Sequence, residues 1–500
     1  MNGGQTRHWV RVTRSFITDG MILVVAFMAG TLIRLGPEWA KDGYDFFQML
    51  TLSVEEYWPG MILGGLFFPS AVYVCGLYAP KSFHRGILPR FLLLSVCLVL
   101  TFWILAALFY LNFSTRIGRG VMLLSILIGS LLVLLHHLNS TLFRRSFRQR
   151  CAILNLPQLE GFSRKEIERF LGPELNFCGF ILEKNVAFHF KPLDDLPVLG
   201  TIEQLESIVN SNEITRVLCN SEDLADPRFY RKFCNLRYSG VEVVSLIQHC
   251  EESHQHVPIN LVTPEWLLTA SSMPHRFYIR KVKRAFDVAV SLGFLFFLWP
   301  FILLAAFGVL ITSGRPIFYR QERVGHFGRK FTVMKFRTMK NDAEKDGAKW
   351  SSAKGDSRVT LLGGIMRKYR VDEIPQLINI LRGEMSFVGP RPERPEFVDL
   401  LNDELDLNPE RLMVQPGLTG WAQVSYPYGA SVEDAERKLE YDLYYMKNMS
   451  LFLDVFILLD TIRTVLSGGA KAEEALRHNR YLLAALRPVR DTPLSPEGLE

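Results

Sequence analysis

The 500 residues contain seven cysteines and no C-x-x-C pair. A disulfide scaffold and a paired-cysteine zinc module are thereby excluded, and a reducing compartment is expected. Excess charge of one sign is also missing. Fifty-seven basic against 51 acidic residues leave a net charge of +6, too small for a nucleic-acid binder, and no basic helix or stacking motif supplies one. Long apolar runs, in contrast, are present. The chain is 48% hydrophobic and 12% aromatic, its apolar residues are unevenly spread, and its length points to about three units, one of them in a membrane.

Four runs near the N-terminus have the 18 to 25 apolar residues that a bilayer span needs: 16–35, 58–78, 88–111 and 117–138. Arg7, Arg11 and Arg14 precede the first, Lys81, Arg85 and Arg90 lie between the second and third, and Arg144, Arg145, Arg148 and Arg150 follow the fourth. The stretch 36–57 is acidic instead, with Glu38, Asp42, Asp45, Glu55 and Glu56. The positive-inside rule puts both ends of this bundle in the cytoplasm, with Arg116 and Arg119 as a mild violation. Asp19 sits near the end of the first run, where snorkelling makes a charge tolerable, and His136 and His137 read as interfacial residues and not as ligands.

From about residue 150 to 273 strand-like runs (151–156, 177–182, 216–219, 241–246) alternate with helix-like ones (165–171, 202–209). That alternation predicts a parallel sheet with covering helices. After the first strand the chain reads Leu156-Pro-Gln-Leu-Glu-Gly161 where a dinucleotide fold has G-x-G-x-x-G, so the usual phosphate-binding turn is absent. His249, Cys250, His254 and His256 lack paired ligand spacing, and a surface loop is expected there.

A second long apolar run, 288–311, is broken at Pro300. Its length suffices to cross a bilayer at ~1.5 Å per residue. Crossing would place Arg315, Arg320, Arg323, Arg329 and Lys330 outside, so positive charge at both ends and a central proline favour a helix that enters, bends and returns over an ordinary fifth span.

The chain is organised around Arg367-Lys-Tyr-Arg-Val-Asp-Glu-Ile-Pro375 and the following Ser386-Phe-Val-Gly-Pro-Arg-Pro392. Adjacent carboxylates, Asp372 and Glu373, stand between Arg367, Lys368 and Arg370 on one side and Arg391 on the other. Guanidinium groups neutralise phosphate oxygens and let a carboxylate approach, as a nucleophile or a metal ligand. Pro375 predicts a helix start just after the pair, near free backbone N–H groups that favour anions. The two prolines and the glycine around Arg391 predict a rigid loop that aims it at an anion. Residues 341–358 read as a mobile loop. The apolar stretch 451–466, interrupted by Asp454, Asp460 and Arg463, reads as a helix on the membrane or on the domain.

These motifs, with Lys283-Arg-Ala-Phe-Asp287, Phe318-Tyr-Arg-Gln-Glu-Arg-Val-Gly325, Lys335-Phe-Arg-Thr-Met339, Gln415-Pro-Gly-Leu-Thr-Gly-Trp-Ala-Gln-Val424 and Tyr441-Asp-Leu-Tyr-Tyr445, resemble the bacterial sugar transferases, the monotopic phosphoglycosyl transferases, over about 280–468. The resemblance implies a membrane protein of α/β class. Its expected parts are a four-helix membrane bundle (1–145), a Rossmann-like cytoplasmic domain without the dinucleotide fingerprint (146–278), a re-entrant helix with a mixed, mostly helical catalytic domain (279–470), and a tail (471–500). The re-entrant break falls at Pro300, preceded by Trp299 where many relatives have serine.

The implied reaction moves a hexose-1-phosphate from a nucleoside diphosphate sugar, a UDP-hexose, to polyprenyl (undecaprenyl) phosphate. It releases UMP and passes through a phosphosugar on Asp372, with Glu373 as a magnesium (Mg2+) ligand or a residue that positions the second substrate. The metal ligands are then Asp372 and Glu373, and the phosphate contacts Lys335, Arg337, Arg367 and Arg391. Asp442 and Tyr445 match the pattern without an assigned role. The implied place is the cytoplasmic face of the bacterial inner membrane, in the first membrane step of exopolysaccharide, capsule or O-antigen synthesis. The bundle and middle domain offer surface for a homodimer. The competing reading is an inactive membrane scaffold for polysaccharide assembly.

Overall fold

A computed structural model describes residues 6–75, 94–97, 99, 101, 103, 119–146, 149–156, 159, 162–172, 175–184, 196–270, 278–339, 358–426 and 431–466. The chain divides into two units, Met1–Gln149 and Arg150–Glu500. Most of the third apolar run, the loop 341–358 apart from its last residue, and the tail from 471 lie outside the described residues.

In the first unit three long helices are described: α1 (Thr6–Lys41), α2 (Phe46–Val74) and α3 (Arg119–Ser146). The acidic stretch 36–57 between the first two apolar runs is mostly helical. α1 continues to Lys41 and α2 begins at Phe46, where Asp45 caps it by accepting from Gln48 N at 2.8 Å. Only the short link between the helices is left for the turn, because this capping box starts the second helix well before its apolar part. α1 packs against both α2 and α3. A Cβ on Gly20 would collide with the carbonyl of Gly65, so the two glycines let α1 and α2 meet backbone to backbone.

Among the described residues two helices are long and apolar enough to cross a membrane, Thr13–Lys41 and Lys281–Ser313, while Leu123–His137 is a shorter apolar stretch.

The second unit opens with a five-stranded sheet of order β3-β2-β1-β4-β5. The strands are β1 (Gln149–Leu154), β2 (Leu175–Leu182), β3 (Val198–Thr201), β4 (Arg216–Cys219) and β5 (Glu242–Ser245). The pairs β2/β3, β1/β4 and β4/β5 are parallel, as the alternating pattern predicted, and the order is that of a doubly wound sheet. Both faces are covered, so its strands are apolar on both sides. Cys151 and Ile153 face α4 (Arg164–Leu171) through Ile167, Phe170 and Leu171. Ala152 and Leu154 face α5 (Leu205–Ser211) and α6 (Pro227–Tyr238) through Leu205, Ile208, Phe229 and Phe233. After β1 the chain turns at Asn155 (φ 47°), buries Leu156 and Leu159, and starts α4 only at Arg164.

The histidine cluster expected on a surface loop is buried instead. His249, Cys250 and His254 lie on α7 (Leu246–His254), with His256 just beyond. His254 Nε2 is 2.7 Å from the carbonyl of Phe170, and the His256 ring lies 5.5 Å from that of Tyr441. Packing of this segment on the later helix α12 (Val432–Asn448) covers it: Val257 N donates to Glu440 O at 3.1 Å, and Lys447 Nζ lies 2.7 Å from the Glu251 carboxylate. Burial holds the His249 and His254 imidazoles below their ordinary range and brings His256 down to about 3, so all three are neutral.

The rest of the unit is built on α8 (Arg284–Ser313), which runs unbroken through Pro300, so the break expected at that proline is absent: one missing N–H does not end a helix whose other residues are strongly apolar. It is followed by the antiparallel hairpin β6 (Phe318–Val324) and β7 (Lys330–Phe336), α9 (Leu361–Lys368), a 3-10 turn (Val371–Gln376) and α10 (Leu377–Arg382). Next come β8 (Ser386–Val388), α11 (Pro395–Glu404), β9 (Gly417–Thr419), α12 and α13 (Leu451–Leu466). β8 and β9 pair in parallel. Their approach is so close that a Cβ on Gly417 would strike the backbone of Gly389, which explains glycine in both motif loops. The C-terminal half of α8 packs through Val309, Ala305 and Ala306 on Phe336 of β7 and Met366 of α9. Its middle is bare: Phe296, Phe297, Trp299 and Leu304 are 72%, 74%, 58% and 68% exposed.

Candidate active site

Arg370, in the left-handed conformation (φ 58°), ends the turn after α9 and starts the 3-10 turn that carries both carboxylates. Asp372 and Glu373 therefore lie within this turn, and the helix beyond Pro375 is only the short α10. Glu384 and Thr332 hold Asn379 of α10 at 2.7 and 2.8 Å, tying the turn to β7. Register in the hairpin puts Lys335 opposite Tyr319, and from there Lys335 reaches the carboxylates.

Three cations converge on Glu373. Lys335 Nζ lies 2.8 Å from Oε1, Arg370 Nη1 3.0 Å from Oε2, and Arg391 Nη2 3.5 Å from Oε1. Glu373 is 7% exposed. Burial alone would raise its pKa, but Lys335, Arg391 and Arg370 outweigh burial and hold it well below the ordinary carboxylate range.

Its neighbour behaves in the opposite way. Asp372 is equally buried, and its Oδ1 has no hydrogen-bond partner among the described residues. Burial and the adjacent Glu373 charge raise its pKa, against the pull of Lys335, Arg367 and Arg370. A buried carboxylate oxygen without a donor is costly and reactive. One carboxylate anchors the cations, and the other is left ready for an electrophile or a cation.

The expected phosphate contacts separate into two groups. Lys335 and Arg391 are brought to the carboxylates, and Arg391 also donates to Gln423 Oε1 at 3.3 Å. Arg367 is bonded through Nε to Thr338 Oγ1 at 2.8 Å and acts on Asp372 by charge. Arg337 is engaged by backbone carbonyls. Its guanidinium donates to the carbonyls of Ser313, Gly314 (2.8 Å) and Arg315 (3.0 Å) and so caps the end of α8. It holds α8 to the hairpin.

Asp442 and Tyr445, whose role the sequence left open, are structural supports of the site. Asp442, 1% exposed, lies 3.2 Å from Arg411, whose Nη2 donates to the backbone carbonyl of Arg391 at 3.1 Å. Burial raises the Asp442 carboxyl to about 6, against the opposing charge of Arg411. Tyr445 Oη donates to Val388 O at 3.2 Å and lies 2.7 Å from Asp454, which Lys283 pairs at 2.7 Å. Both devices fix the loop that presents Arg391.

Sequence reasoning passed over Asp287 and Arg284, although both stand in a quoted motif. Asp287 Oδ1 accepts from Phe387 N at 3.0 Å and Ser386 Oγ at 3.1 Å. Arg284 Nη2 donates to Leu381 O at 2.6 Å, at the C-terminal end of α10. A charge one turn before a long apolar run was the available signal.

Magnesium needs hard oxygen donors. The uncommitted Asp372 Oδ1 fits that need, whereas both Glu373 oxygens are engaged by cations, one of which would have to be exchanged for the ion.

The profile of the bacterial sugar transferase family matches residues 278–468. A UDP-N-acetylgalactosamine-undecaprenyl-phosphate N-acetylgalactosaminephosphotransferase of Aeromonas hydrophila is 42% identical over 191 residues, 38% of this chain and 45% of that protein. An undecaprenyl-phosphate glucose phosphotransferase of Komagataeibacter xylinus is 40% identical over 275 residues, 53% of this chain and 51% of that one. The chain thus spans about half the length of these two relatives. An exopolysaccharide production protein of Rhizobium meliloti (strain 1021) is 38% identical over 208 residues, 38% of this chain but 87% of that protein. The matched stretch carries every carboxylate and cation of the site, and through it the chain belongs to the bacterial sugar transferase family.

Proposed function

We propose that this chain transfers a hexose-1-phosphate from a UDP-hexose to polyprenyl phosphate and releases UMP. The single observation that carries the reading is the buried, unpartnered Asp372 Oδ1 beside a Glu373 that gathers Lys335, Arg370 and Arg391. The curated relatives act, by their names, on undecaprenyl phosphate.

In the first step an Asp372 oxygen attacks the sugar-linked phosphorus. The bond from that phosphorus to the bridging oxygen breaks, and the electron pair leaves with UMP. The anionic product and the phosphosugar oxygens draw Lys335 and Arg391 toward them, and Glu373 keeps both within reach. Next an oxygen of polyprenyl phosphate attacks the same phosphorus, the bond to Asp372 breaks, and the free carboxylate returns. Asp372 and Glu373 would hold Mg2+, which supplies neutralisation of pyrophosphate oxygens when bound.

The membrane arrangement belongs to the same proposal: a four-span bundle, and a re-entrant α8 that places the site at the cytoplasmic surface. Both ends of α8 are tied to one domain, through Asp287 and Arg284 at the start and Arg337 at the end. Attachment of both ends to one domain supports a helix that returns to the side it entered from, and its bare middle offers Phe296, Phe297 and Trp299 to lipid. One substrate is soluble and charged, the other is held by its tail, and an interfacial site meets both.

The test is UMP release by the purified protein with Mg2+, undecaprenyl phosphate and a panel of UDP-sugars. Lipid-dependent UMP with one donor supports the reading. Absence of turnover with every donor in a folded preparation contradicts it and moves the scaffold reading ahead.

A further inference from the structure

Asp19 is fully buried inside the N-terminal helical unit, where a lone carboxylate is expensive. Two consecutive histidines of α3, more than a hundred positions later, both turn to it. His136 Nδ1 lies 2.9 Å from Oδ1, and His137 Nε2 lies 2.9 Å from Oδ2. The two rings stand edge to face, 5.5 Å apart at an angle of 81°, so that they fan around the carboxylate. The three ligand atoms lie within 4.8 Å of one another. His137 is 10% exposed at its side chain and His136 27%, which leaves an approach along one side.

We propose that Asp19, His136 and His137 form a binding site for a divalent transition ion of the zinc class, a clasp between α1 and α3. Two imidazoles and a carboxylate are ligands that such ions share, while magnesium and calcium take oxygen donors. Zinc binds imidazole nitrogen and carboxylate oxygen at about 2.0 to 2.2 Å, which sets neighbouring ligand atoms of a tetrahedron about 3.4 Å apart. The two nitrogen–oxygen spacings, 2.9 Å each, are about half an ångström shorter than that value, and the widest pair, within 4.8 Å, needs a rotamer adjustment of up to about 1.4 Å. Each ring binds through the nitrogen facing Asp19 and carries its proton on the other, so the imidazoles remain neutral. Three protein ligands leave one position for water, reached past His136. The ion brings positive charge to a buried carboxylate, and it joins helices that the sequence holds far apart. The site lies in a different unit from Asp372, so it stands or falls apart from the transferase reading.

The experiment titrates Co2+ into chelator-stripped, full-length protein in lipid nanodiscs with excess Mg2+ present. The expected result is one equivalent of Co2+ with the visible absorption of a four- or five-coordinate nitrogen–oxygen site, its loss on adding Zn2+, and a metal-dependent rise in the thermal midpoint. Asp19→Asn and His137→Gln, which retain hydrogen-bonding groups, each lose the absorption, and Glu373→Gln keeps it. A wild-type protein without such absorption at saturating Co2+ overturns the proposal with no variant needed. Absorption that survives in both Asp19→Asn and His137→Gln, or disappears in Glu373→Gln, overturns it as well.

Discussion

Lys335 Nζ lies 2.8 Å from Glu373 Oε1 and, through the same charge, pulls down the pKa that burial raises on Asp372. In the proposed reaction Asp372 must be ionised to attack, so the acid limb of kcat/KM is expected above the ordinary aspartate range. Lys335→Met removes a positive neighbour and moves that limb to higher pH. Glu373→Gln removes a negative neighbour and moves it to lower pH; the plateau falls in both variants, because Lys335→Met loses a cation for the phosphate and Glu373→Gln loses the partner that gathers the cations. The pH dependence of UMP release for the three proteins checks both signs.

Arg391 meets Gln423 through Nη1 and Glu373 through Nη2, a two-pronged arrangement that an ammonium cannot reproduce. Arg391→Lys is expected to keep the charge and lose one charged hydrogen bond to phosphate, about 2 kcal/mol or roughly 30-fold in kcat/KM. Steady-state kinetics in saturating lipid measure it, and an unchanged value removes Arg391 from the site.

Much of this site was legible because its chemistry sits in contiguous motifs. The carboxylate pair and Arg391 could be read directly from their residue types, and Lys335 from the family resemblance. Arg337 was misread since its partners are the carbonyls of residues 313–315, and a backbone acceptor leaves no trace in a sequence. The parallel sheet was visible in alternating runs, whereas burial of His249 and His256 depends on α12, almost two hundred residues later. Asp19 and His136 were each noticed, but the 117 positions between them hid the pairing.

Asp442 tests how the support beneath Arg391 responds to pH. Its carboxyl titrates near 3.8 when exposed and at about 6 when buried in the folded chain. The folded protein thus binds this proton more tightly than the unfolded one, and stability contributed by the protonated form is lost as pH rises from about 4 to 6, by up to about 3 kcal/mol. Thermal midpoints across that window should fall with pH at this group's expense, and Asp442→Asn should flatten that component. A variant with an identical slope contradicts the assignment.

Gly417→Ala brings a methyl group against the backbone of Gly389. The β8/β9 pair has to open to accept it, at a cost of roughly 1–3 kcal/mol, and Arg391, two residues from Gly389, shifts with it. Lower thermal stability together with reduced kcat is expected. A variant that loses stability but keeps full kcat would show that the loop position is not coupled to turnover.

The central claim is that Asp372 forms a bond to the sugar-bearing phosphorus. Mixing the protein with its nucleotide sugar in the absence of lipid acceptor, quenching in acid and measuring intact and peptide masses tests it directly. The account predicts one phosphohexose added per chain, located on the peptide that contains Asp372, absent from Asp372→Asn and discharged by undecaprenyl phosphate. An adduct on another residue, or full lipid-dependent UMP release by Asp372→Asn, would contradict it.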